Sequence, residues 1–149
     1  MSHDLTKDMA SDTPADPFRF DIRVYYEDTD TGGVVYYANY LKFFERARTE
    51  WLRRLGVNQS EYAVQEQRLF VVKKVEIQYR KPAVLDDLLT LYSTITRVGP
   101  ASVTFRQQAQ RGEDHLCSST IEVCCVDANT FRPVPLTTEL RTLLEKARI

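Results

Sequence analysis

Tyr25-Tyr26-Glu27-Asp28-Thr29-Asp30-Thr31-Gly32-Gly33-Val34-Val35-Tyr36-Tyr37-Ala38-Asn39-Tyr40 is the stretch at which the pattern of this chain changes. Before it, Phe18, Phe20, Ile22, Val24 and Tyr26 alternate with Arg19, Asp21, Arg23 and Tyr25, a period of two that predicts a half-buried strand. After it, Tyr40, Phe43, Phe44, Ala47, Trp51 and Leu55 recur at helical spacing, while Lys42, Glu45, Arg46, Arg48, Glu50, Arg53 and Arg54 fall on the other side. Gly56 supplies a stop signal for that helix.

Past a polar connection, four segments read as strands: Leu69 to Tyr79, Leu88 to Val98, Ser102 to Arg111 and Leu116 to Asp127. Pro82 with Asp86-Asp87, Gly99-Pro100 and Gly112-Glu113-Asp114 mark the turns between them. A short amphipathic helix follows Pro135, with Thr137 as its N-cap and Leu140, Leu143, Leu144 and Ala147 on one stripe. One strand, one long helix and then a run of antiparallel strands predict an α+β layer, a curved sheet wrapped around a single helix. One helix cannot cover both faces of such a sheet, so oligomerisation through edges or faces is expected.

The 149 residues fit one domain, placed at 18–149 behind a tail at 1–17 that is rich in Asp, Ser, Thr and Pro and is expected to be disordered. With 20 basic and 21 acidic side chains, the chain carries no global field that would draw in nucleic acid, and any anion site must be local. Cys117, Cys124 and Cys125 show no metal or redox spacing, which suits free thiols in the cytoplasm. No stretch approaches the roughly 20 apolar residues of a membrane-spanning helix.

Standard catalytic sets are missing. Of the two histidines, His3 lies in the tail and His115 beside a turn, where it is expected to be solvated; there is no HExxH, no GxSxG elbow and no Walker motif. The decisive stretch remains, with three carboxylates in four positions, two glycines and a helix start. Free amides at a helix N-terminus can stabilise a developing oxyanion, a neighbouring carboxylate can serve as general base or nucleophile, and glycine lets backbone approach a ligand. The same acids could instead cap the helix and balance its dipole. Burying Glu27, Asp28 and Asp30 together would be costly, so at most one or two should point inward.

Tyr25 to Asp30, Gly32 to Tyr36 and Phe44-Glu45-Arg46-Ala47-Arg48-Thr49-Glu50 closely resemble the YbgC-like acyl-CoA thioesterases of the Tol-Pal gene cluster, within the 4-hydroxybenzoyl-CoA thioesterase family. The similarity continues through Phe70 to Lys74, Tyr79, Pro82-Ala83, Leu85 to Asp87 and Val123 to Asp127. The resemblance implies a hotdog fold, hydrolysis of acyl-CoA, no cofactor or metal, and a homodimer or a tetramer of two such dimers, with acyl carrier protein as a further possible carrier. It aligns Asp30 with the family's catalytic aspartate and the amide of Tyr37 with the group that polarises the thioester carbonyl; many YbgC-like members carry His at that position and the hydroxybenzoyl-CoA branch Tyr. Gly33 completes the catalytic candidates. Tyr26, Val35, Tyr36 and Glu45 are the candidates for contact with substrate, and Lys73, Lys74 and Arg97, with Arg23 and Arg106, for the CoA phosphates. Glu45 would orient the site or pair with Arg48 on the surface. Two rivals stand beside this reading: a non-catalytic module that binds acyl-CoA or acyl carrier protein, and a dehydratase, which would call for a catalytic His.

Overall fold

The computed structural model describes residues 17–148. The tail expected at 1–17 therefore lies almost wholly outside the described residues. Strand β1 (Phe18–Arg23) leads through a single 3-10 turn at Tyr26–Asp28 into helix α1 (Tyr37–Arg54). Helix α2 (Gln59–Glu66), strands β2 (Arg68–Tyr79), β3 (Leu88–Val98), β4 (Ser102–Arg111) and β5 (Asp114–Asp127), and helix α3 (Thr138–Arg148) complete the order. The five strands form one antiparallel sheet in the order β1-β3-β4-β5-β2, with bulges between Val72 and Lys74 and between Ile95 and Arg97 that bend it.

Helix α1 lies against one face of this sheet because its apolar stripe has nowhere else to go. Phe43, Phe44 and Ala47 have no exposure at all, and they meet the inward residues Leu89, Leu91, Phe105, Ala109, Cys117 and Ile121 in one core. The Trp51 ring stacks on Phe18 at 5.6 Å and meets Phe105 edge-on at 6.0 Å. Gly56 ends the helix at φ 98, a left-handed conformation that glycine adopts without strain. Helix α3 adds Leu140 and Leu144 to the same core, and the Thr137 hydroxyl accepts the Leu140 N–H as its cap.

Three expectations need correction. The connection after α1 is itself helical: the Asn58 side chain caps α2 by accepting the Ser60 and Glu61 amides, but no α2 residue is fully buried, so the sequence carried little helical periodicity. Strand β5 begins at Asp114, so His115 lies within the sheet, half-buried, and its Nε2 has no partner among the described residues; burial, then Arg80 and Arg106, holds its pKa below the usual imidazole value. Arg48, read as part of the polar side of α1, is only 7% exposed. All three cysteines are unpaired and buried, and burial pushes the Cys117 thiol up to about 12.

Candidate active site

Between β1 and α1 the chain makes a compact loop whose acids do different jobs. Asp28 is buried; its Oδ2 accepts the Tyr25 N–H at 2.9 Å, while its carbonyl accepts the Tyr36 N–H at 3.2 Å and the Asn39 amide Nδ2 at 2.7 Å. It ties the exit of β1 to the start of α1. Asp30 faces the opposite way, exposed, in a tight turn closed by the Asp30 N–H on the Val34 carbonyl and the Gly33 N–H on the Asp30 carbonyl. Its Oδ1 accepts the Gly32 N–H at 2.8 Å, and among the described residues its Oδ2 has no protein partner. A Cβ at position 32 would stand 3.2 Å from Oδ1, so a side chain there would require the Asp30 carboxylate to give way slightly.

The turn is clamped from outside. Val34 bridges Val84, the Val35 N–H donates to the Ala83 carbonyl, and Val24 and Asp86 to Asp87 exchange backbone bonds across the same loop. Asp87 stiffens that loop, its Oδ2 accepting the Val84 N–H and an Arg111 Nη1 proton at 2.8 Å. Two elements far apart in sequence thus fix where the Asp30 carboxylate points.

Helix α1 begins at Tyr37 without a side-chain cap. The Asn39 N–H returns to the Tyr36 carbonyl, which leaves the amides of Tyr37 and Ala38 with no acceptor among the described residues, at the positive end of the helix dipole. The Tyr37 side chain is exposed and packs on Tyr79 with centroids 4.7 Å apart and the rings tilted by 34°; the Tyr79 hydroxyl donates to the Tyr37 carbonyl at 3.2 Å.

A sequence profile of the Thioesterase superfamily matches residues 32–118, which begins two positions after Asp30 and spans α1 and β2 to β4. The chain belongs to this superfamily. It is 46% identical over 124 residues to the acyl-CoA thioesterase YbgC of Haemophilus influenzae, covering 83% of this chain and 91% of that protein. It is 33% identical over 115 residues to the long-chain acyl-CoA thioesterase FadM of Escherichia coli K12, covering 73% and 83%. A crystal structure of a probable thioesterase from Bartonella henselae superposes with a TM-score of 0.75 at 39% identity, covering 79% of this chain and 97% of that one. The sheet wrapped around α1 is the hotdog fold, as the resemblance implied.

Within the loop, the structure brings together Tyr26, Asp30, Gly33, Tyr36 and Tyr37, with differing commitments. Tyr26 is 82% exposed and, with Glu27, Thr29, Asp30 and Thr31, lines a shallow open depression. The Gly33 N–H is already bonded within the turn, and its φ of 82 is the reason for glycine there. Tyr36 stays exposed beside Tyr37, whereas Val35 is buried in the core. Glu45 sits eight positions past the helix start, accepts the Thr49 hydroxyl, and makes no ion pair with Arg48 within 4 Å.

Apart from Arg23, the basic candidates lie on strands away from the loop. Lys74, Glu122, Thr104 and Arg97 occupy one row across the sheet, on the face turned away from α1, and Arg106 shares that face with Thr94 and Thr120. Lys73 is the unpaired residue of the β2 bulge, Lys74 lies 3.8 Å from Glu76, and Arg23 donates to the Asp86 carbonyl. Composition gave no sign of the roles of Asn39 and Tyr79 in seating the helix start, since both are ordinary polar and aromatic residues until the loop is folded.

Proposed function

We propose that the chain, a thioester hydrolase by family, cleaves acyl-CoA to the free acid and CoA at the loop before α1. The observation that carries this reading is an exposed carboxylate with one unengaged oxygen, held in the same loop as an uncapped helix start with two unpaired amides. In one route Asp30 takes a proton from water as the water oxygen bonds to the thioester carbonyl carbon. The Tyr37 amide stabilises the oxyanion, the C–S bond breaks, and the CoA thiolate takes up the proton. In the other, Asp30 attacks the carbonyl carbon directly, the C–S bond breaks and CoA leaves as thiolate, and water then hydrolyses the mixed anhydride, restoring Asp30 and releasing the proton that the thiolate takes up. Rapid-quench mass spectrometry separates them, since an acyl adduct on Asp30 marks the second.

If the backbone amide is the electrophilic group, the Tyr37 phenol is dispensable. Tyr37→Phe should keep kcat within about tenfold of the parent, a change of under ~1.4 kcal/mol in the barrier. A larger loss in a steady-state assay would assign the hydroxyl a part in the chemistry and remove the backbone-only account.

The depression at Asp30 is too open to hold an acyl group in one copy, and β2 supplies a reason to expect a second. It is a twelve-residue edge strand on which Val71, Val72, Val75 and Tyr79 are 38–50% exposed. An unpaired apolar edge is a template for pairing, and Tyr79 puts the Tyr37 end of α1 beside it. We place two copies along β2, with Lys73 and Lys74 near the joint to meet CoA phosphates, and a tetramer of two such pairs in the cytoplasm. Light scattering at micromolar concentration should give at least twice the 17.3 kDa chain mass. A value at the single-chain mass would contradict this arrangement.

A further inference from the structure

Between α1, the start of β2 and α3 lies a second, more enclosed cavity of about 120 Å³, well above the ~10–15 Å³ that one water needs. Phe70, Val72, Phe105, Leu140 and Leu144 make its wall apolar. Set into that wall is the guanidinium of Arg48, a residue 93% buried by the exposure of 7%. It rests over the Phe105 ring at 5.8 Å, and one Nη1 proton goes to the Gln107 Oε1 at 3.0 Å. No other protein acceptor among the described residues takes its remaining N–H groups, and no carboxylate lies within ion-pair distance.

Such a group is expensive to bury, because a guanidinium has five donors, no acceptor, and stays charged. Burial lowers its pKa to about 10, still far above neutrality, with Glu45 opposing the shift from a distance. Glu45 is engaged at the rim, where it accepts the Thr49 hydroxyl, which in turn accepts a proton from Gln59 Nε2. At the rim Thr49 thus links Glu45 to Gln59, and among the described residues the N–H groups of Arg48 beyond the one on Gln107 have no protein acceptor. A purely structural arginine would be expected to spend its fork on the protein; this one holds a single bond inward and turns the rest to a space large enough for several non-hydrogen atoms.

We propose that this cavity receives the far end of the acyl group and that Arg48 is a specificity-determining residue selecting acyl chains that end in an acceptor oxygen, a carboxylate or a hydroxyl. The inference rests on the thioesterase reading and names its substrate class. It also fits the pairing along β2. That strand runs from Phe70 and Val72 at the cavity to Tyr79 at the helix start. A two-fold axis through it sets the Tyr37 end of one copy against the cavity end of the other. The apolar wall takes the methylenes, and the planar fork takes the terminal oxygens.

The test compares three acyl-CoA series matched in chain length, ending in carboxylate, hydroxyl or methyl, as kcat/KM on the full chain. At its best length an oxygen-ended series should exceed the methyl series by about 10–100-fold, the scale of one charge-assisted hydrogen bond; the stronger series names the end group. Arg48→Met should bring that ratio to within about twofold of unity, and Arg48→Lys should keep part of it. Gln59→Phe, at a half-buried position that fills the cavity from the rim, should reduce the ratio even if Arg48→Met folds poorly. Binding of the matching non-hydrolysable thioethers, measured calorimetrically, should show the same order whether or not the chain turns over thioesters. The proposal is overturned if the parent shows no preference at any length, or if folded Arg48→Met or Gln59→Phe keeps the preference intact. Absence of turnover with ordered thioether binding would instead strike only at the hydrolase chemistry.

Discussion

Asp30→Asn is expected to lower kcat by about 10²-fold or more, the scale on which removal of a general base or nucleophile acts. The substitution is nearly isosteric, and an Asn side-chain oxygen can still accept the Gly32 N–H, so the turn keeps its shape. Because the carboxylate is exposed and pairs with no cation among the described residues, thermal stability should move by no more than about 0.5 kcal/mol. Affinity for a non-hydrolysable acyl-CoA should change far less than kcat. Asp28→Asn is the contrasting variant: the buried Asp28 carboxylate accepts the Tyr25 amide, and an Asn oxygen would keep that bond only as a neutral one, so the change should appear mainly as roughly 1 kcal/mol of stability. If Asp28→Asn or Glu27→Gln abolished turnover while Asp30→Asn did not, the reacting carboxylate would have to be reassigned.

The second large effect concerns the buried polar group beneath α1. Gln107 sits on the inward face of β4 with no exposure, accepts a proton from Arg48, and donates from Nε2 to the Phe44 carbonyl and the Ser93 hydroxyl. Gln107→Leu fills similar space but leaves the buried guanidinium without its protein acceptor among the described residues, and the mid-helix Phe44 carbonyl with only its bond inside α1. Removing the neutral acceptor of a buried charged donor costs about 1.5–3 kcal/mol. At roughly 2–4 °C per kcal/mol for a chain of this size, Tm should fall by roughly 3–12 °C. Urea unfolding would show it as a lower midpoint at unchanged slope. A loss under about 1 kcal/mol would mean that Arg48 finds another acceptor, and would weaken the view of it as an unsatisfied donor.

Those two sites differ in how far the sequence announced them. The loop was readable because its signals are local: alternation stops at Tyr26, acids and glycines follow, and helical spacing begins by Tyr40, all within one short stretch. The strand boundaries at Tyr79, Val98 and Arg111 were readable for the same reason, since Pro and Gly mark the turns beyond them. The core arginine was not. Arg48 follows Phe44 by four positions and so falls on the buried stripe, yet its charge assigned it to the solvent side; among the described residues Gln107, on a strand 59 residues away in sequence, gives it its hydrogen-bond acceptor. Gln107 itself interrupts the inward run Val103, Phe105, Ala109, a signal that periodicity reports without saying what it meets. Helix α2 was missed because its hydrophobic content is slight, with Val64 78% exposed and Tyr62 anchoring it through Phe70 and Thr137 rather than through a stripe. His115 was misread because a strand that starts two residues early turns a solvated neighbour of Gly112 into a half-buried one.

The most direct test of the central claim is release of free thiol from acyl-CoA by the purified chain, read with a thiol reagent across several acyl lengths and end groups beside Asp30→Asn. The account expects CoA release by the parent that depends on enzyme concentration and falls by about 10²-fold or more in Asp30→Asn while analogue binding persists. No release from any acyl-CoA by a folded chain that still binds the analogue would contradict it, and would make the chain an acyl-binding module in a thioesterase frame.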